Sequence, residues 1–184
     1  MDSTVANIKA WAELVAFVAT IIGAPIAVWA IRAQSRSSQV TDSFDNLWKF
    51  KDDWESKDMH ISRVVVANGV LSDALPSVED DVRAVLDFFE TMGLLWHKGA
   101  IDLDVAWNRF SVWAIHYWLS LNPWLVEART RQRDETLWAE YGLLQEQLIQ
   151  TDAKQRDRTE DEVRQEYQAA RSDFLKRESL LRIS

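Results

Sequence analysis

Three histidines, no cysteine and two short acidic runs are the residues with which this chain could do catalysis or hold a metal. His60, His97 and His116 stand far apart, and none belongs to an HExxH or comparable ligand spacing. Without cysteine there is neither a thiolate nucleophile nor a sulfur-bound zinc site. The five glycines form no phosphate-cradling loop and no nucleophile elbow. The acidic trios Glu79-Asp80-Asp81 and Glu160-Asp161-Glu162 fall where helices should start, and carboxylates there offset the positive end of the helix dipole. Arg129, Arg131 and Arg133 alternate, so they fan around a helix rather than line one face. The chemistry points away from an enzyme, with no cofactor and no metal expected.

Glu13 is the ionisable residue whose position carries most meaning. It opens the run LVAFVATIIGAPIAVWAI at 14–31, which has no charged side chain. At ~1.5 Å per residue that run spans roughly 27 Å, close to the hydrocarbon thickness of a bilayer. An ionisable group at a membrane span suggests function, and Glu13, Thr20, Ala24 and Ala27 share one helical face. In an oligomer that face would line a path with a carboxylate ring at its outer mouth, which favours cations. The plainer alternative is that Glu13 sits in the headgroup layer, paired with Lys9 one turn earlier.

The run is apolar on all faces, unlike a surface helix with one stripe. A cleavable signal peptide fits poorly, because Asp2 is the first charge and Lys9 the only cation before the run. A buried core helix is the other competitor. Ala12, Ala16, Ala19, Gly23, Ala27 and Ala30 recur every three or four residues, a pattern that lets membrane helices approach. Pro25 leaves the carbonyl of Ile21 without its helical partner and should kink the helix. Arg32 and Arg36 follow the run, so the positive-inside rule places the C-terminal part in the cytoplasm. Trp11 and Trp29 suit the two headgroup layers.

Helices must position everything else, since no strand-like alternation of useful length appears. The expected fold is all-α. A transmembrane helix occupies 1–34, a polar linker 35–43, a cytoplasmic helical domain 44–149 and a charged C-terminal helix 150–184. In the domain, Phe44, Leu47, Trp48, Lys51 and Trp54 form a first stripe, and a break is expected near Asn68-Gly69. Ser77 looks like the N-cap of a helix over 78–98 that buries Val82, Val85, Leu86, Phe89 and Met92, with Gly93 allowing close contact and Gly99 closing it. Asp102 or Asp104 starts the next helix. Asn122-Pro123 should end it, with Pro123 in the first turn of another that runs on to Leu148. Beyond Thr159 a thin stripe of Val163, Tyr167, Ala170, Phe174, Leu175 and Leu181 needs a partner surface: its own domain, an oligomer interface, or a clamp that detaches.

Ten tryptophans are many for this length, and outside the membrane belt most lie on apolar stripes, so packing explains them before base stacking does. Net charge is −8: residues 1–35 are neutral, 36–126 carry −6 and 127–184 carry −2. That distribution argues against a broad basic surface for duplex nucleic acid.

Three stretches carry a resemblance: WESKDMHISR at 54–63, LDFFETMGLLWHKGAID at 86–102 and YWLSLNPWLVEAR at 117–129. Their order resembles a family of small bacterial and phage proteins of unknown function with an N-terminal membrane helix. The matching positions are Glu90, Gly93, Gly99, Asp102, Tyr117, Trp118, Pro123 and Arg129, structural residues first. Proteins of this plan look like the membrane effectors of the Hailong anti-phage system. That resemblance implies an oligomeric, channel-like protein, with a tetramer as one candidate size, and a partner nucleotidyltransferase whose short single-stranded oligonucleotide holds it closed. The resulting expectation is a ligand-controlled, depolarising effector in the bacterial inner membrane. The alternative is a membrane-tethered scaffold that conducts nothing and recruits a cytoplasmic partner.

Overall fold

A computed structural model describes residues 48–181, and every regular element among them is helical. Residues 48–54 form α1; then come α2 (Lys57–Leu71), a short 3-10 turn (Leu75–Val78), α3 (Glu79–His97), α4 (Leu103–Gln132), α5 (Ala139–Arg156) and α6 (Glu160–Ser179). Among the described residues no helix is long and apolar enough to cross a membrane; the run 14–31 lies outside them.

Local chemistry sets the helix ends. Ser56 caps α2 by accepting from the Met59 amide, so the first break falls at Glu55-Ser56. The break expected at Asn68-Gly69 is absent, and both residues are helical in α2. Gly69 suits a packed position there, since a Cβ would lie 2.9 Å from Val78 Cγ2. Ser77 does not cap α3. It sits in the 3-10 turn and donates to the Ala74 carbonyl, and α3 starts with Glu79, Asp80 and Asp81 in its first turn. Gly99 closes α3 at φ +72°, with the amides of Gly99 and Ala100 bonded back to the carbonyls of Trp96 and Leu95. Asp102 caps α4 through the amides of Asp104 and Val105.

Pro123 corrects a second expectation. It lies inside α4, which runs unbroken from Leu103 to Gln132. Proline there removes the amide that would bond the Leu119 carbonyl. Arg171 of α6 donates to that carbonyl at 3.4 Å, so a neighbouring helix supplies a partner that α4 lacks. The chain turns instead at 133–138, where Arg129 grips the Leu137 carbonyl through Nε and Nη2 at 2.9 and 2.7 Å.

The core is strongly aromatic. Phe89 stacks on Tyr141 with centroids 4.9 Å apart, and Trp54 touches Phe88, Phe89, Trp113 and Tyr117. Trp54, Trp124 and Trp138 are buried, while Trp96, Trp107, Trp113 and Trp118 pack against the core from its edge. Trp48 is the exception and is exposed. Gly93 brings α3 against the start of α5, where an added Cβ would stand 2.4 Å from the Glu140 carbonyl oxygen. One turn earlier, the Glu90 carboxylate accepts from the Tyr141 amide at 2.7 Å and so caps α5 from another helix.

Candidate functional site

The last helix, α6, is seated by an apolar stripe and one buried carboxylate. Thr159 starts α6 with a reciprocal capping box to Glu162, and the 3.6-residue period then turns Val163, Tyr167, Phe174 and Leu175 inward. Glu178 lies one turn beyond Phe174, so the same period carries it into the core, where it is 5% exposed. It meets Arg63 of α2, which is 3% exposed. Arg63 Nε donates to Glu178 Oε2 at 2.7 Å and Nη2 to Oε1 at 2.8 Å, a two-pronged pairing of planar groups. The Tyr117 hydroxyl donates to Oε2 at 2.7 Å and Trp113 Nε1 to Oε1 at 3.2 Å, giving the carboxylate four donors.

Aromatic rings enclose the cation. The Arg63 guanidinium lies 4.4 Å from the Trp54 ring centre and 5.6 Å from that of Trp113, and Nη1 donates to the Trp54 carbonyl. Burial, reinforced by the Glu178 charge, pushes the Tyr117 phenol well above its usual range, so it stays a neutral donor. Two charges are thus taken from water and cancel each other, and their lost hydration offsets much of their attraction.

A second set of polar groups lines the same seam under weaker pairing. His116 stacks on Phe174 with centroids 4.4 Å apart and meets Tyr167 edge-on. Burial, then the nearby Arg177 charge, pushes the His116 pKa down to about 4, and Nδ1 has no hydrogen-bond partner. Asp152 of α5 accepts from Trp107 and Arg156 through Oδ1, yet Oδ2 is unpaired. Burial and the Asp152 charge push Tyr167 up to about 12. Ser120 Oγ and Gln145 Nε2 are also buried without partners. The seat of α6 is therefore well satisfied at Glu178 and less so beside His116 and Asp152.

The residues singled out from sequence have other work. His97 bonds Glu140 at 2.7 Å, and His60 and His116 are not brought to it. Among the described residues no group of three His, Asp or Glu side chains is placed to hold a metal. Glu79 pairs with Arg83 at 2.7 Å and Arg131 at 3.1 Å, and the Arg83 hydrogen bond leads in holding its carboxyl below the usual range. Asp81 accepts from Ser62 and ties α2 to α3, while Glu162 serves the capping box. Arg129 fastens the 133–138 turn and Arg133 is its left-handed entry at φ +55°. The pore-facing set Glu13, Thr20, Ala24 and Ala27, and the packing set Ala12, Ala16, Ala19, Gly23 and Ala30, lie outside the described residues.

Neither Arg63 nor Glu178 stands out in the sequence as a site. The signal was there as a charge on an apolar stripe: Arg63 one turn from Met59 and from Ala67, Glu178 one turn from Phe174.

No curated protein and no solved structure matches the chain. A family model does: it covers residues 17–148, from within the apolar run to the middle of α5, so it includes Arg63, Trp113 and Tyr117 and ends before α6. With most of its length inside that match, the chain belongs to the family described as a domain of unknown function, DUF4760.

Proposed function

We propose that this chain is an oligomeric, membrane-anchored, channel-like effector that depolarises the bacterial inner membrane in anti-phage defence, with α6 as the restraint on opening. The 14–31 run supplies the membrane helix, with Glu13 at its outer mouth and the helical domain in the cytoplasm. A short oligonucleotide from a partner nucleotidyltransferase is the controlling ligand that the resemblance to Hailong effectors implies.

The observation that carries the reading is the Glu178 carboxylate with its four donors. A helix seated only for stability is better served by apolar side chains, since two buried charges roughly cancel their own attraction in lost hydration. Loss of the Glu178 charge strands the buried Arg63 and weakens the seat that the apolar stripe of α6 shares with it, favouring release of the helix. This is the two-state element that a gated assembly needs.

The test is membrane potential, read by dye in bacteria expressing the chain. Three forms are compared: the native chain, Glu178→Gln, and Glu178→Gln with an unrelated apolar helix at 10–31. The expected result is depolarisation by Glu178→Gln above the native level and none by the form with the exchanged helix. Depolarisation by both Glu178→Gln forms refutes a specific path. Silence of all three refutes conduction and leaves the tethered scaffold.

A further inference from the structure

Beside the ion pair lies a cleft of about 430 Å³ between α1 and the first half of α4. That volume is in the range of small-molecule sites. Two indoles, Trp54 and Trp113, form part of its wall, and Lys51, Glu55, Asn108 and Arg109 supply its polar lining. Lys51 is paired with Glu55 at 2.9 Å, whereas the exposed Arg109 makes no ion pair with any described residue. Trp54 is 2% exposed and its Nε1–H, a hydrogen-bond donor, has no partner. The lining therefore combines indole edges with a cation that has no ion pair among the described residues, while the unpartnered Trp54 Nε1–H is buried behind it.

We infer that this cleft binds a small organic anion with a flat apolar body, and that its occupancy holds α6 in its seat. Arg109, with Lys51 beside it, takes the anionic group, and the partly buried Trp113 ring takes the flat body, with Trp54 packed behind it. The coupling follows from shared residues. Trp54 is the ring and the carbonyl on which Arg63 rests, and Trp113 donates to Glu178. Arg63 and Glu178 do not line the cleft, so the indoles separate ligand from ion pair. A ligand packed on that side restrains the indoles in the positions that grip the pair. A ligand that binds only this state opposes release of α6 by mass action, about 100-fold at 100 times its Kd.

The inference deepens the proposed function by giving α6 a ligand-side control, yet it is read without any membrane potential, so the two fail separately. The experiment uses the full chain in lipid nanodiscs, with benzoate as the probe and acetate as the charge-only comparison. Binding is read by saturation-transfer NMR and α6 release by hydrogen exchange. The expected result is saturable benzoate binding at a Kd of about 1 mM or tighter. Acetate binds more weakly, and benzoate slows exchange in α6. Replacing both cations, Lys51→Gln with Arg109→Gln, raises the Kd at least ~10-fold, as losing two charge-assisted contacts should. Glu178→Gln, whose side chain lies outside the cleft, keeps binding and loses most of the slowing, because the charge that fastens α6 to the indoles and Arg63 is gone. Absence of saturable binding, or binding indifferent to the two cations, overturns the site. Binding with no effect on α6 exchange, or an effect unchanged in Glu178→Gln, overturns the coupling.

Discussion

Removing one partner of the Arg63–Glu178 pair should cost at least as much as removing both. Glu178→Gln leaves the guanidinium of a residue only 3% exposed without its counter-charge. Breaking a buried pair in this way typically costs about 3–5 kcal/mol. A domain of this size has ~5–15 kcal/mol in all, so the loss is a large fraction. Near 2–4 °C per kcal/mol it corresponds to a fall of roughly 6–20 °C in Tm. Arg63→Met strands the carboxylate instead, although Tyr117 and Trp113 still donate to it. The double variant Arg63→Met with Glu178→Leu removes both charges but leaves the Tyr117 and Trp113 donors without their acceptor, so it should cost about 1–3 kcal/mol, no more than either single change. The cycle therefore predicts a coupling of at least ~3 kcal/mol between two residues in direct contact. Thermal unfolding of the full chain gives the four stabilities, and hydrogen exchange locates the damage. In Glu178→Gln the amides of α6 should lose protection first, while those of α3 and α4 keep theirs. Additive single effects, or single losses under 1 kcal/mol, would refute the idea that this pair fastens the helix.

Gly93→Ala should cost about 3 kcal/mol, because its Cβ would meet the Glu140 carbonyl carbon and oxygen at 2.6 and 2.4 Å, and backbone yields less than a side chain does; a circular-dichroism melt reads it. Asp157→Gly should raise stability by up to ~1 kcal/mol in the same melt, since Asp157 ends α5 in the left-handed region at φ +52° where glycine carries no Cβ penalty. Stability should also fall as pH drops from about 6.5 toward about 4. Folded His116 stays neutral down to about 4, an unfolded histidine takes its proton near 6.5, and the unfolded state therefore binds more protons across that window. The full shift corresponds to ~3 kcal/mol, and the slope contributed by His116 should vanish in His116→Phe, measured by urea unfolding at stepped pH.

Periodicity and caps made much of this fold legible. Asp102, Gly99 and the acids after Thr159 mark helix ends by chemistry local to a few residues, and the structure has ends at those places. The failures share a cause. Asn68-Gly69 and Asn122-Pro123 are breakers by local preference, yet both lie within helices because distant packing overrides them. Gly69 makes room for Val78, and Arg171 supplies a donor to the carbonyl that Pro123 leaves free. Gly93 was legible as a place of close approach, but the identity of its neighbour, the start of α5, was not. The ion pair was least legible. A charge on an apolar stripe signals that something pairs with it, and nothing local in the chain tells which of many opposite charges it meets.

Arg63 and Glu178 stand 115 residues apart in sequence. Bringing such distant groups together carries a high loop-closure entropy, which non-local contacts must overcome before they contribute. The aromatic layers of α3, α4 and α5 are nearer neighbours along the chain, so they should assemble first and leave the pair to form late. Interactions absent from the folding transition state act on the unfolding rate and leave the folding rate nearly unchanged. The ion pair is then a brake on departure from the native state: it sets how long α6 stays seated, and hardly affects how fast the rest of the domain forms.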